Sequence, residues 1–507
     1  MTHTRSFWLA ALLATPLLFA VAPPASAAAA CPRVPSDFNG DGRADLVAGV
    51  PQRTEYLGGD PNNPIIQAGG VHVLYGAASG FTNGPFYYPD TEGMPNGHDF
   101  GGSNHFGDAF TSGLFDGDCY TDLAIGASHG SQVLVMYGSA TGLRPEHSAV
   151  FTSREVFGDR TDFQGDGFGA ALAAGDFNHD GFDDLAGGAP WGFDEHGAVG
   201  VLFGSADGIT KAGASFLTQD SPNVPGTAES SDSFGFELAA GDVTGDGVTD
   251  LVASAPGESV GSFASAGGVL VLPGGPAGPS GTGAQWWDQN SAGVPGTAEE
   301  WDFFGGALAV GDLTGDGRAD LAVGASGEDI GSLDGAGMVT LLRGAAGGLT
   351  ATGAVAWDQN DPQIPGSAEP NDSFGSPLAI GDLNRDGRSD LVIGVSNESM
   401  GNTESVGALN ILYGNAAGIS PAGSIYLDQN SAGVPGSNEE YDRFGSALRL
   451  LPDGLAVGAI GESADGRSDG AFTVLKFPVT GTTGTFYSGS KLPGGAFDEG
   501  RLGGSLG

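Results

Sequence analysis

The sequence predicts an all-β fold, a seven-bladed β-propeller closed by its own C-terminal strand. Three observations point there. An Asp-rich loop between two short apolar segments recurs, beginning at Asp37, Leu114, Asp176, Asp242, Asp312 and Asp382. The last three starts lie 70 residues apart and the earlier intervals run from 62 to 77, a period that marks one supersecondary unit stacked on copies of itself. Within each unit four short strands alternate with Gly-rich turns, the make-up of a propeller blade, and no stretch has helical periodicity. Finally, the chain ends on a segment that its first unit lacks.

The first element is a targeting segment, residues 1–27. Arg5 precedes the apolar run Phe7–Ala22, and Ala25-Ser26-Ala27 supplies a small-x-small cleavage site, as in a secretory signal peptide. The run is too short and wrongly flanked for a membrane span, and no later one is long enough. Leu492-Pro493-Gly494-Gly495 lacks the features of a cell-wall sorting signal. A secreted, extracellular chain of one domain, 28–507, is therefore expected. Its two cysteines, Cys31 and Cys119, invite a disulfide in an oxidising compartment. That bond would close a loop of about 90 residues, worth on the order of 4 kcal/mol on the chain-entropy account. Two separate buried thiols are the alternative.

Of 507 residues, 92 are Gly, and Asp+Glu (61) far outnumber Lys+Arg (18), for a formal charge of −43. Turn-rich β-structure with an anionic surface follows. Nucleic acid and anionic membrane surfaces are excluded as partners, and cations or basic partners are favoured. Outside the loops, acidity that merely keeps the chain soluble is an equal alternative.

The repeat unit is clearest at 303–325, FFGGALAVGDLTGDGRADLAVGA. Asp312, Thr314, Asp316 and Asp320 stand at loop positions 1, 3, 5 and 9. Gly317 at position 6 permits a sharp turn, and the Arg318 carbonyl at position 7 adds an oxygen. Oxygens converging within one turn suit Ca²⁺, a hard cation taking six to eight oxygen ligands. Position 9 runs straight into Leu321-Ala-Val-Gly-Ala and no Glu stands at position 12, so the loop joins strands and not helices. Each unit then reads as a Phe-Gly strand, the loop, and a Leu-Ala/Val-x-Gly-Ala strand. An alternating strand such as Gly267–Leu272 follows, then a weaker strand ending near Trp-Asp-Gln-Asn. A seventh copy at 444–463 keeps the flanks and replaces the loop with Pro452-Asp453-Gly454.

The two ends complement one another. The first loop has no Phe-Gly strand before it, and residues 493–506 align without gaps on 295–308. The segment 493–507 is therefore expected to complete blade 1 and close the ring, removing the edges an open stack would expose.

The pattern F-G … G-D-x-[NT]-x-D-G-x-x-D-L-x-x-G-A resembles the FG-GAP repeat of integrin α-subunit propellers and related secreted bacterial proteins, over nearly the whole mature chain. The resemblance implies seven blades, Ca²⁺ loops joining strands 1 and 2 on a lower face, and ligands engaged from the upper face. Carried over by position, five loops keep the full set, with position 7 giving its carbonyl. They are Asp37, Asn39, Asp41, Arg43 and Asp45; Asp176, Asn178, Asp180, Phe182 and Asp184; Asp242, Thr244, Asp246, Val248 and Asp250; Asp312, Thr314, Asp316, Arg318 and Asp320; and Asp382, Asn384, Asp386, Arg388 and Asp390. About five Ca²⁺ sites are expected. The second loop departs: Leu114 replaces the first ligand and Cys119 the turn Gly, although Asp116, Asp118 and Asp122 remain. The expected role of the metal is structural, and acid-rich turns without metal are the alternative.

A second acidic set recurs in the connection from strand 4 to the next strand 1, as VPGTAESSDSFG and its copies. It places Glu229/Asp232, Glu299/Asp302, Glu369/Asp372 and Glu439/Asp442 at like positions, with Glu258, Glu328, Glu398 and Glu462 after the Gly-Ala strand. Given Ca²⁺ loops below, these project above, where an anionic rim could bind a basic or metal-bridged ligand. Loop-capping is the competing and favoured reading. Trp286, Trp287, Trp301 and Trp357 lie near these connections, as contact area or as packing between blades.

Catalytic signals are weak. Gly126-Ala127-Ser128-His129-Gly130 matches G-x-S-x-G, but it sits at a strand-2 position with no helix after it. Gly503–Gly507 also matches, in the closing strand. His98, His105 and His129 gather around blade 2 without H-E-x-x-H spacing. No catalytic residue is assigned. The expected function is a secreted, monomeric, Ca²⁺-binding adhesion module for an unidentified extracellular protein or glycan. A secreted hydrolase is the alternative, since FG-GAP repeats also accompany glycosylphosphatidylinositol phospholipase D, where the catalytic domain is separate. A purely structural surface protein is the third reading.

Overall fold

The computed structural model describes residues 34–53, 55–56, 64–65, 68–95, 104–158, 165–463, 470–477, 484–489, 492 and 501–507. The targeting segment, Cys31 and His98 lie outside them, so the Cys31–Cys119 pairing stays a proposal.

Antiparallel sheets follow one another along the chain, six of four strands and one of three, with a two-stranded ribbon in addition. Blade 5 shows the plan, with strands Phe304–Gly311, Asp320–Ala325, Met338–Ala345 and Gly348–Trp357 hydrogen-bonded in sequence order. Second strands are buried at every residue because a neighbouring blade covers each face, which is why they read as continuous apolar runs without alternation.

Blade 1 has only three strands of its own, Leu46–Gly49, Val71–Ala77 and Gly80–Tyr87. The last residues of the chain lie along the first of them. Val47 and Gly507 exchange N–H···O bonds of 2.9 and 3.0 Å, and the Gly49 N–H donates to the Ser505 carbonyl at 3.0 Å. Ala48 stands opposite Leu506, as Gly187 stands opposite Leu172 in blade 3.

The core is divided among seven apolar clusters, each shared by two adjacent blades. The seventh joins Ala456, Phe472 and Val474 of blade 7 to Leu46, Ala48 and Leu74 of blade 1. An open row of sheets would have one interface fewer than it has sheets, so the row is a ring.

The Phe-Gly and Gly-Ala pairs have a packing cause. Phe106, Phe168, Phe234, Phe304, Phe374 and Phe444 are all fully buried, with Leu502 in the seventh place. Each is worth about 1.5–3 kcal/mol of burial. The Gly after each Phe lies against the Gly of the preceding blade's second strand, except Gly305, which meets Ser254 there. A Cβ on Gly324 would sit 2.1 Å from the Gly375 carbonyl, and one on Gly188 2.0 Å from that of Gly235. At those glycine pairs no side chain fits between the two backbones.

A five-residue helix, Ser153–Phe157, interrupts the all-β pattern. Thr152 and Glu155 form a capping box, and Val156 and Phe157 enter the core between blades 2 and 3. One turn is too short to show a helical period.

Candidate functional site

Antiparallel order puts the 1→2 and 3→4 connections of every blade at one end of the propeller, and the 2→3 and 4→1 connections at the other. The two acidic sets therefore occupy opposite faces. On the lower face the Asp-rich loops wrap their carboxylates around their own backbone. Asp312 Oδ1 accepts from Gly315 and Asp316 N–H (2.6 and 3.1 Å) and its Oδ2 from Gly317 (2.9 Å). Asp316 Oδ1 accepts from Arg318 N–H at 3.0 Å. Asp242 and Asp246 repeat these contacts. In blades 1, 3 and 6, Asn39, Asn178 and Asn384 Oδ1 also accept from the position-5 N–H at 2.9 Å.

Position 9 does separate work. Asp320 is fully buried, takes the N–H groups of Leu313 and Thr314 on one oxygen and that of Gly344 on the other, and so ties the loop to the 3→4 turn. Asp45, Asp122, Asp184, Asp250 and Asp390 do the same with Gly76, Gly138, Gly204, Gly274 and Gly414. Burial pushes Asp45 and Asp184 up to about 7, and Asp122 well above the usual carboxylate range.

The donor set of these loops is oxygen throughout and fits a hard cation. Thr244 and Thr314, both at position 3, bring a hydroxyl oxygen to the position-9 carboxylates Asp250 and Asp320. The second loop keeps Asp116, Asp118 and Asp122 with carboxylate oxygens within 4.8 Å of one another, although position 1 is Leu114. At blade 7, Gly454 stands where the other blades have the position-9 Asp.

On the upper face the second acidic set is largely turned inward. Asp232, Asp302, Asp372 and Asp442 are each 1% exposed. One oxygen of each accepts from the backbone N–H three residues earlier, that of Glu229, Glu299, Glu369 or Glu439, at 2.5–2.6 Å. Glu328, Glu398 and Glu462 are also buried, and an open rim is not what these groups form. Glu229, Glu299 and Glu439 are the exposed members. The clusters also contain a residue that the sequence reading passed over. Gln219, Gln289, Gln359 and Gln429, two residues past the fourth strands, donate Nε2 to Glu258, Glu328, Glu398 and Glu462 at 2.5–2.8 Å. The signal was present: the Gln–Glu separation is 39 residues in three units and 33 in the last. Burial, reinforced by neighbouring carboxylates, pushes Glu258, Glu328 and Glu398 up to about 7. It pushes Asp302 up to about 6 and Asp442 up to about 7, and raises Asp372.

Trp357 is buried, and Trp286 and Trp287 pack against cores between blades, while Trp301 is 54% exposed. Ser128 Oγ donates to the Asp108 carboxylate, and His105 Nδ1 lies 3.5 Å from the same oxygen. The His105 and His129 rings stack at 3.7 Å. The carboxylate stands between hydroxyl and imidazole, whereas nucleophile activation needs the imidazole on the hydroxyl.

The FG-GAP repeat model matches residues 34–74, 168–214, 234–272, 304–342 and 374–409. These hold the five loops with complete oxygen sets. The chain carries FG-GAP repeats. The FG-GAP propeller is 37% identical over 164 residues to bovine phosphatidylinositol-glycan-specific phospholipase D, covering 29% of this chain and 18% of that protein. It is 31% identical over 195 residues to human integrin alpha-IIb (37% and 17%), and 33% identical over 236 residues to Caenorhabditis briggsae integrin alpha pat-2 (43% and 17%). The matched part is under a fifth of each relative's length. Among the described residues no helix is long and apolar enough to cross a membrane.

Proposed function

We propose that this FG-GAP propeller is a secreted, Ca²⁺-binding adhesion module that engages an extracellular protein or glycan through its upper face. The observation that carries the reading is where the large exposed apolar side chains lie. Among the described residues these are Trp191, Phe236, Phe263, Trp301, Met400 and Tyr441, 39–54% exposed. All six stand on the upper-face connections or on the turn entering a first strand. Aromatic groups beside carboxylates give a surface with both contact area and charge selectivity. The lower-face loops support Ca²⁺ as the stabilising ion through their all-oxygen donor sets.

The test is solid-phase binding of the full chain to a panel of extracellular-matrix proteins and a glycan array, with Ca²⁺ and with chelator. Binding is expected with Ca²⁺ and should fall at least tenfold in the Trp301→Ala/Tyr441→Ala double variant. Binding indifferent to both substitutions would refute the upper-face assignment. The identity to the phospholipases favours a second reading, a hydrolase acting on glycosylphosphatidylinositol anchors. Release of an anchored reporter protein from membranes by the full chain would decide for it.

A further inference from the structure

The upper-face clusters are built for something that the described chain does not itself provide. At the junction of blades 4 and 5, Gln289, Asp302 and Glu328 are all buried, with Glu299 beside them. Acceptors outnumber donors among the groups that face one another there. One Asp302 oxygen is satisfied by the Glu299 N–H, but Asp302 Oδ1 has no partner and neither has Gln289 Oε1. Gln289 Nε2 donates to Glu328, and the unpartnered oxygen belongs to the same amide, so that turning the amide over brings the oxygen to the carboxylate.

The arrangement recurs with the same deficit. Gln219, Gln359 and Gln429, each 1–3% exposed, leave Oε1 unpartnered, and Asp442 Oδ1 is unpartnered in its cluster. Among the described residues no Lys or Arg pairs with any of these carboxylates. Buried acceptors left without donors cost about 1–3 kcal/mol each, and four repeats of the same cost are not an accident of one loop.

We propose that each junction from blade 3/4 to blade 6/7 binds one divalent cation, Ca²⁺ by its oxygen chemistry, through a Gln amide oxygen, one Asp and two Glu. The sets are Gln219/Glu229/Asp232/Glu258, Gln289/Glu299/Asp302/Glu328, Gln359/Glu369/Asp372/Glu398 and Gln429/Glu439/Asp442/Glu462. Carboxylate oxygens of the first and third sets already lie within 4.8 Å of one another. Ca²⁺ holds oxygens at about 2.3–2.6 Å, so ligands on opposite sides of it stand about 4.6–5.2 Å apart. An amide turned over keeps its shape and brings its oxygen beside the Glu, the orientation a cation selects. The ligands come from the end of one blade, the connection, and the 2→3 turn of the next blade. Each ion thus pins two blades together. These sites are separate from the Asp-rich loops and stand whether or not those loops bind metal.

The experiment is native mass spectrometry of the full chain titrated with CaCl₂. The wild type should bind at least four ions, one for each junction, besides any that the Asp-rich loops hold. Asp302→Asn should remove one ion, and Glu328→Gln with Glu398→Gln should remove two. Asp312→Asn in a loop should leave the junction ions in place. A count below four, the number of junctions proposed, or one unchanged in the junction variants, overturns the proposal. Should a variant fail to fold, wild-type crystals soaked in Tb³⁺ give the same decision. Anomalous peaks beside Asp302 and Asp372 support the sites, and peaks confined to the lower face refute them.

Discussion

Gly305 and Gly331 lie in the same blade and both have left-handed backbone, with φ of +96° and +73°. A methyl group on Gly331 meets nothing within 4 Å. On Gly305 it would sit 2.9 Å from the Gly268 carbonyl and 3.0 Å from Ser254 Cβ, both in the preceding blade. Gly331→Ala thus carries only the left-handed penalty, about 1–2 kcal/mol, less about 0.4–1 kcal/mol for the stiffer unfolded chain. Gly305→Ala adds overpacking against backbone that cannot rotate away, typically about 1–3 kcal/mol. The expected cost is about 0.5–1 kcal/mol at Gly331 and about 2–4 kcal/mol at Gly305. For a chain of 507 residues, unfolding entropy near 2.1 cal/mol/K per residue makes 1 kcal/mol worth about 1 °C. Calorimetry in excess Ca²⁺ should show Gly305→Ala melting about 2–4 °C below wild type and Gly331→Ala within about 1 °C of it. Equal shifts would show that blades do not touch through glycine, and the packing account of the repeat would be wrong.

Deleting 501–507 strips the Val47–Gly507 and Gly49–Ser505 pairing and the buried Leu502, and should lower the melting temperature by more than Gly305→Ala; an unchanged melt refutes the closure. Glu237 stands where other blades have Ala109, Ala171, Ala307 and Ala447, and burial pushes its carboxyl up to about 7 from 4.5. A raised acid pKa means that ionisation opposes folding, absent below about pH 4.5 and complete above about pH 7. Glu237→Gln should therefore stabilise by about 1–2 kcal/mol at pH 8 and not at pH 4, and equal effects at both would sink the assignment.

The ring was legible because its signals are periodic. Repeated spacing, a loop signature and continuous apolar second strands each recur, so a fold that needs seven sheets could be read from one unit. The helix at 153–157 was not legible, because a single capped turn shows no period. The upper-face acids were located by sequence, yet their burial was not. A Glu in a Gly-rich connection looks solvated, and only the packed 4→1 loop shows that Asp302 and Glu328 face inward. Gln289 escaped notice because its partner lies 39 residues away, across a blade boundary, whereas the Asp-rich loops are local in sequence.

That difference in locality is also one of energetics. In the loops most carboxylate oxygens already accept backbone N–H groups. Such a corner keeps its shape through its own hydrogen bonds, and a cation adds to an arrangement that the backbone has already made. The junctions have fewer donors than acceptors, and their acceptors are buried. Carboxylates brought together there must be neutralised, by protons that raise their pKa or by a cation that takes the protons' place. Because the junction groups belong to different blades, whatever neutralises them also holds the blades together. The acids most conspicuous in the sequence are therefore the ones whose oxygens the backbone already satisfies, and those hidden between blades are the ones that still need neutralising.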